Sequence, residues 1–417
     1  MSLFLYKLSL FFINAGLQVA ALWKPKAKLW VKGRQNLLEN LEAAFSGNQA
    51  PVIWIHTASL GEFEQGRPVI ERIKKEYPGH KIVLSFFSPS GYENKKDYKG
   101  ANHILYLPID RPLYAKKFIN IINPTLVIWI KYEYWYYYLT ELKHRNIPVI
   151  LVSALFRPGQ PFFAWYGKIW REMLSCFTHI FVQNRASEEL LKAIHISNVS
   201  SSGDTRYDRV TDNAAAFEPL PAAIEEFCGN HPVLVAGSTW AEDEEELMHY
   251  TKANTQTRFI IAPHEIDPEN MEEVKKRFAG ALIFSKLNRD GGNELTGNVL
   301  IIDNIGMLSR LYKYAHITYV GGGFGDDGLH NILEPAVFGR PVIFGPNHDK
   351  YPEAQAMIDC GGAFSVENAL ELEALLKKLF EDKDHLDKTA AAAKNFIYQN
   401  RGATNTILQY ISEKKLL

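Results

Sequence analysis

Cysteine is scarce in this sequence: Cys176, Cys228 and Cys360 stand far apart and share no metal-ligand spacing. That argues against a disulfide framework or a cysteine-built zinc site, and the thiols are expected to be buried or idle in a reducing compartment. Net charge is nearly missing too. Lysine and arginine number 46 against 47 acids, a formal charge of −1, so no global field favours a nucleic acid partner. No H-E-x-x-H, paired C-x-x-C or G-x-S-x-G occurs, which disfavours zinc hydrolases and serine esterases. The one D-x-D, Asp382-Lys383-Asp384, falls in a charged helical stretch where a solvated face accounts for it. No metal is expected.

What the chain does have is apolar sequence, 47 % of its 417 residues, enough for two ordinary globular domains. From Ser2 to Trp23 the only charge is Lys7, with Asn14, Gly16 and Gln18 interrupting the middle. A membrane span needs about 20 mostly apolar residues, and this stretch barely reaches that. Lys24, Lys26, Lys28, Lys32 and Arg34 follow, with Trp23 and Trp30 among them and no acid before Glu39. Tryptophans suit a headgroup boundary and clustered lysines are drawn to anionic lipid. Residues 1–34 are therefore expected to be an interfacial anchor helix with a basic flank. A buried first helix and a true span are the alternatives.

Beyond the anchor, β-branched runs alternate with amphipathic segments, the pattern of crossover units and parallel sheets. The first series is Val52–Ile55, Lys81–Leu84, Leu126–Trp129, Val149–Val152 and Ile180–Val182. The second is Val233–Ala236, Phe259–Ile261, Val299–Ile302, Ile317–Val320 and Val342–Phe344. The expected organisation is a Rossmann-like domain over 35–210, a linker over 211–221 and a second such domain over 222–385. Helices over 386–417 are expected to pack back on the first domain. Ligands in such sheets bind beyond the carboxyl ends of strands, so a site is expected in a cleft between two facing domains.

Two turns carry the chemistry. In the first, Val320 leads into Gly321-Gly322-Gly323-Phe324-Gly325, and a helix is expected to open near His330 with Asn331, Ile332, Leu333 and Glu334 in its first turn. Glycines let backbone approach a phosphate, and a helix N-terminus offers unpaired N–H groups to an anion. Glu334 can accept both hydroxyls of a ribose while Asn331 donates to phosphate. Gly323, Gly325 and Gly328 also satisfy G-x-G-x-x-G, but late in the second domain rather than opening one. The second turn is His56-Thr57-Ala58-Ser59-Leu60-Gly61-Glu62 directly after the first strand. A partly desolvated Glu62 there is placed to act as a general base; an ordinary first-turn glutamate favouring the helix dipole is the plainer alternative.

Smaller signals sit at other strand ends. Ser238, in Gly237-Ser238-Thr239-Trp240, can bind phosphate or cap the helix expected over Glu242–Met248. His264, after Ala262-Pro263, can stack on a base. Lys131, Glu133 and Trp135 follow a further strand, and Arg206 in Gly203–Asp208 can neutralise a leaving phosphate.

With these residues in place, the chain resembles the 3-deoxy-D-manno-octulosonic acid (Kdo) transferases. The likeness runs nearly end to end. It takes in the N-terminal apolar segment, Ala58–Glu62, Ser88-Pro89-Ser90-Gly91, Tyr106–Asp110, Gly203–Asp208, Ala262-Pro263-His264, Gly321–Gly323 and His330–Glu334. The resemblance implies a GT-B fold, two Rossmann-like domains facing a central cleft with a membrane-associated helix. It also implies inverting transfer of Kdo from CMP-Kdo to a lipid A precursor at the cytoplasmic face of the inner membrane, with no cofactor and no nucleic acid. The domain over 35–210 would take the acceptor and that over 222–385 the CMP.

Residue by residue, the resemblance makes Glu62 the catalytic base. Asn331 to Glu334, Pro263 with His264, and Gly306 with Met307 and Leu308 become CMP contacts. Arg206 stands where the family usually has a transition-state lysine, and Lys131 where it often has a glutamate. His264 replaces a common arginine and Met307 a common glutamate. A UDP-sugar transferase, an oxidoreductase using Gly323–Gly328, and a non-catalytic nucleotide-binding membrane protein remain as rivals.

Overall fold

Each β-branched run in the sequence forms a strand, and both resulting sheets are wholly parallel. The computed structural model describes residues 3–287, 296–326 and 328–417. In the first sheet β1 (Val52–Thr57), β2 (Lys81–Phe86), β3 (His103–Tyr106), β4 (Pro124–Ile130), β5 (Val149–Ala154), β6 (His179–Val182) and β7 (Val199–Ser201) lie in the order β3-β2-β1-β4-β5-β6-β7. The second sheet holds β8 (Val233–Thr239), β9 (Arg258–Pro263), β10 (Leu282–Ile283), β11 (Val299–Ile301), β12 (Ile317–Val320), β13 (Val342–Phe344) and β14 (Ala363–Ser365). Their order is β10-β11-β9-β8-β12-β13-β14. Strand order reverses between β1 and β4 in one sheet and between β8 and β12 in the other. Such switch points open a crevice at the carboxyl edge. Glu62 follows β1 and Lys131 follows β4; Ser238 lies one residue before the end of β8 and Gly321 follows β12.

The central strands are buried on both faces, which is why they read as unbroken apolar runs. β1 has no exposed residue along its length. Trp54 and Trp129 pack edge-on at 5.4 Å within this core. The four strands absent from the expected runs, β3, β7, β10 and β14, are the four sheet edges, and each is only partly buried.

The chain divides between Arg209 and Val210, and the first unit regains Arg401–Leu417 at the C-terminus. Three expectations need correction. Residues 211–221 are not a linker throughout, because Thr211–Ala215 complete the Thr205–Ala215 helix, where two alanines favour helix over coil. Residues 386–417 do not return together. The Lys383–Asn400 helix belongs to the second unit, and only the Ala403–Glu413 helix packs with the first, its start held where Gly402 and Thr404 N–H donate to Asp208 at 2.5 and 2.7 Å. The helix expected at His330 opens only at Leu333 and ends at Ala336. Asn331 turns the backbone first, its Oδ1 accepting the Leu333 N–H at 3.2 Å.

Helix α1 (Leu3–Ala20) is long and apolar enough to cross a membrane by length and composition. It buries only Tyr6 and Leu10, so it is not the buried first helix the sequence allowed. Phe4, Phe11, Phe12 and Val19 are exposed. Tyr6 and Leu10 pack with Ile169, and a polar contact fixes the helix further. Tyr6 donates to the Asp110 carboxylate at 2.5 Å, and Asp110 also accepts the Tyr137 and Tyr138 N–H groups at 3.0 and 3.1 Å. Asp110 thus caps the Tyr136–His144 helix from a distant loop. Short helices α2 (Pro25–Lys32) and α3 (Leu37–Phe45) follow before β1.

Candidate active site

In the first unit the β1 edge gathers three charged groups. Helix α4 (Leu60–Glu76) starts on Ser59, whose Oγ accepts the Glu62 N–H at 3.5 Å. The Glu62 carboxylate turns back to accept the Ala58 N–H. It is only 9 % exposed. Burial raises its pKa to about 7; the Glu133 charge pushes the same way, while the Ala58 and Tyr132 N–H groups and the Lys131 charge pull it down. A carboxyl poised near neutrality can take a proton at physiological pH. Glu62 does stand in the first turn of its helix, as the plainer alternative has it, and it is buried there.

Lys131 stands at the end of β4 with φ of +66°, a left-handed conformation that a lysine rarely adopts. Its N–H donates to Val152 O at 3.0 Å, and its ammonium lies 4.7 Å from the Tyr132 ring centre. Such strain collects at functional turns. Glu133 accepts the Trp135 indole N–H at 2.9 Å and meets His56 Nε2 at 3.3 Å. His56 is fully buried. The sequence placed His56 in the motif but assigned it no task, because its partners come from β2 and from the loop after β4. Arg206 is held by Asp204, with Nε donating at 2.8 Å and a second nitrogen at 2.7 Å. Its helix is fastened to α4 by the Thr205 hydroxyl, which donates to Gln65 O at 2.5 Å, and by the Arg209–Glu64 ion pair.

In the second unit the β8 and β12 ends are knit together. Gly321 N–H donates to Gly237 O at 2.9 Å. Ser238 sits at a bulge where the β8–β9 register shifts, with φ of +54°. Gly322 has φ of +89°, and a Cβ there would come within 2.2 Å of Gly328 O; only glycine fits. A Cβ on Gly323 would lie 2.6 Å from Gly345 N. The organiser of this loop is Asp243, to which sequence reasoning gave no role within the helix expected over Glu242–Met248. It is fully buried. Its carboxylate accepts the Gly322 N–H at 2.8 Å, the Trp240 N–H at 2.9 Å and the Tyr319 hydroxyl at 2.7 Å.

Beside the loop, three rings stack. His264 lies 4.7 Å from Trp240 and 4.4 Å from His330, and the Trp240 indole donates to His330 Nε2 at 3.1 Å. His264 therefore already has an aromatic neighbour on the protein side. Pro263, the residue before it, is buried at the end of β9. Asn331 donates to Glu334 at 3.1 Å, and Ile332 and Leu333 turn inward to the core. Gly306, with φ of +97°, leads into Met307 and Leu308. Met307 is buried, and Leu308 packs close enough to Gly237 that a Cβ there would meet it at 2.6 Å. Glu334 shares a small cavity with Ser309 and Arg310. The fold thus brings Ser238, Gly321–Gly323, His264, Met307–Leu308 and Asn331–Glu334 to one sheet edge of the second unit.

Known proteins resemble this chain in sequence and in fold. A family profile described as 3-Deoxy-D-manno-octulosonic-acid transferase (kdotransferase) matches residues 34–209. A 3-deoxy-D-manno-octulosonic acid transferase of Aquifex aeolicus is 29 % identical over 349 residues, 80 % of this chain and 87 % of the relative. One from Haemophilus influenzae is 27 % identical over 402 residues, 91 % of each chain. Among solved structures, UDP-GlcNAc 2-epimerase from Neisseria meningitidis bound to UDP-GlcNAc superposes with a TM-score of 0.63. It shares 16 % identity and covers 87 % of this chain and 100 % of its own, a likeness of fold alone. The fold is GT-B and the protein is a glycosyltransferase. Over most of its length the chain is similar to 3-deoxy-D-manno-octulosonic acid transferases, and residues 34–209 match the profile of that family.

Proposed function

We propose that this chain moves Kdo from CMP-Kdo to a lipid A precursor during lipopolysaccharide synthesis, at the cytoplasmic face of the inner membrane. The observation that carries the reading is the near-neutral, buried Glu62 carboxylate at the β1 edge. Glu62 takes the proton of the acceptor hydroxyl as the oxygen attacks the Kdo anomeric carbon. The bond to the CMP phosphate oxygen breaks with inversion, and CMP leaves as an anion. Arg206 offers a fixed cation to that charge, and Lys131 tempers the field of Glu133 at Glu62. Backbone at Gly322 and Gly323 together with Ser238 receives the phosphate, and Asn331 and Glu334 hold the ribose. Pro263, His264 and the Gly306–Leu308 turn flank the base. The reading invokes no metal or cofactor.

The exposed apolar face of α1 and the lysines after it support a chain resting on anionic membrane. The test is a donor panel. Purified protein with a lipid A precursor and CMP-Kdo is expected to give a product heavier by whole Kdo units, and UDP-sugars none. A product from a UDP-sugar, or none from CMP-Kdo, would overturn the reading.

A further inference from the structure

Nothing in the transfer chemistry accounts for the polar centre of α1. An amide set in hydrocarbon without a partner is costly, yet Asn14 and Gln18 interrupt a helix whose neighbouring Phe11, Phe12 and Val19 are exposed. Four residues apart, the two amides share one helix face. Both line a cavity of about 410 Å³ within the first unit, and Arg34, Gln35 and Arg111 line it with them.

Arg34 is rigidly held there. Its guanidinium donates to Leu107 O at 2.9 Å, Trp30 O at 3.1 Å and Phe87 O at 2.8 Å, and it lies 3.9 Å over the Trp30 ring. All three acceptors are neutral carbonyls, so these bonds orient the cation without neutralising it. Burial pulls its pKa down to about 9. Arg111 adds a second, exposed cation on the same cavity, 6.0 Å from the Tyr114 ring. Against them stands one lining carboxylate, the exposed Glu39.

We infer that this cavity binds the phosphate of a membrane lipid headgroup. Guanidinium and amide donors match the several acceptor oxygens of a phosphate. The volume exceeds what a bare phosphate fills and leaves room for the headgroup's glycerol or sugar. Acyl chains of such a lipid would lie along the apolar residues of α1 that flank Asn14 and Gln18. The polar interruption of the helix is thus the wall of a headgroup site. This inference concerns lipid binding and does not depend on which sugar is transferred.

Vesicle flotation of the full chain tests it. Neutral phosphatidylcholine vesicles carry either phosphatidic acid or a fatty-acid carboxylate at matched surface charge. Wild type is expected to bind the phosphate vesicles about tenfold more tightly, the size of one charge-assisted hydrogen-bond set. Arg111→Gln, at an exposed position, should bring that ratio close to one. The double variant Asn14→Leu with Gln18→Leu should do the same while binding neutral vesicles at least as well, since α1 becomes more apolar. If soluble glycerol 3-phosphate erases the preference, the site reads the phosphate by itself; if it does not, the site needs the phosphate presented by a membrane. A wild-type ratio of one, or a ratio unchanged in both variants, would overturn the inference.

Discussion

His56 Nε2 lies 3.3 Å from Glu133 Oε2, joining a wholly buried imidazole to a carboxylate at the edge of the site. The contact ends a chain that starts in the core. Trp54 donates to Ser85 Oγ at 2.8 Å, and Ser85 Oγ meets His56 Nδ1 at 2.9 Å. A carboxylate oxygen only accepts, so Nε2–H donates to Glu133, and in that tautomer Nδ1 accepts the Ser85 hydroxyl proton while Ser85 Oγ accepts from Trp54. Glu133 is thereby held where its charge bears on Glu62.

Glu62→Gln is expected to lower kcat by roughly 10²–10⁴-fold, the range for losing a positioned base. In the wild type, kcat/KM should rise with pH through a midpoint near 7, where Glu62 loses its proton, and level off above it. Activity of the variant close to wild type would remove Glu62 from the mechanism.

Glu133→Gln should move that rising limb to lower pH. Burial is the first cause of the raised Glu62 pKa and the Glu133 charge the second, so deleting the charge lowers it. A purely structural Glu133 would change KM or expression and leave the limb in place.

The same shift predicts a sign for stability. Glu62 in the folded chain binds a proton up to about pH 7, above its unfolded value near 4.5. Between those pH values the folded state holds more protons than the unfolded one, so the contribution of Glu62 falls as pH rises. Relative to wild type, Glu62→Gln should gain stability from pH 4 to pH 8, by up to about 3 kcal/mol. Urea midpoints at the two pH values read the difference, and a gain toward acid would contradict the burial argument.

Asp243→Asn should weaken the donor site without touching the donor. Asparagine has one acceptor oxygen where the carboxylate now takes three donors, so the Gly322 turn loses an anchor. The expected result is a roughly tenfold higher KM for the nucleotide sugar with a smaller change in kcat. Titration of CMP binding by calorimetry checks it.

Tyr6→Phe removes the hydroxyl that donates to Asp110 and accepts the Tyr136 N–H at 3.1 Å. Leaving that half-buried N–H without its acceptor should cost about 1 kcal/mol. Helix α1 should then be cut sooner by protease, and equal cleavage rates would show that the apolar contacts of Leu10 suffice.

Local sequence determined the middle of each sheet and the turns that follow it. Strands buried on both faces must be apolar throughout, so β1, β4, β8 and β12 announce themselves, and with them the positions of Glu62, Lys131, Ser238 and Gly321. Edge strands β3, β7, β10 and β14 carry no such run, because water covers part of each. Tertiary structure alone decided the partnerships. His56 meets Ser85 because the β1–β2 register sets them side by side, 29 residues apart. Asp243 supports Gly322 from 79 residues away, and Asp110 caps a helix 27 residues on while holding α1. A buried carboxylate and a solvated one look the same in a sequence; what separates them is which N–H groups the fold carries to them.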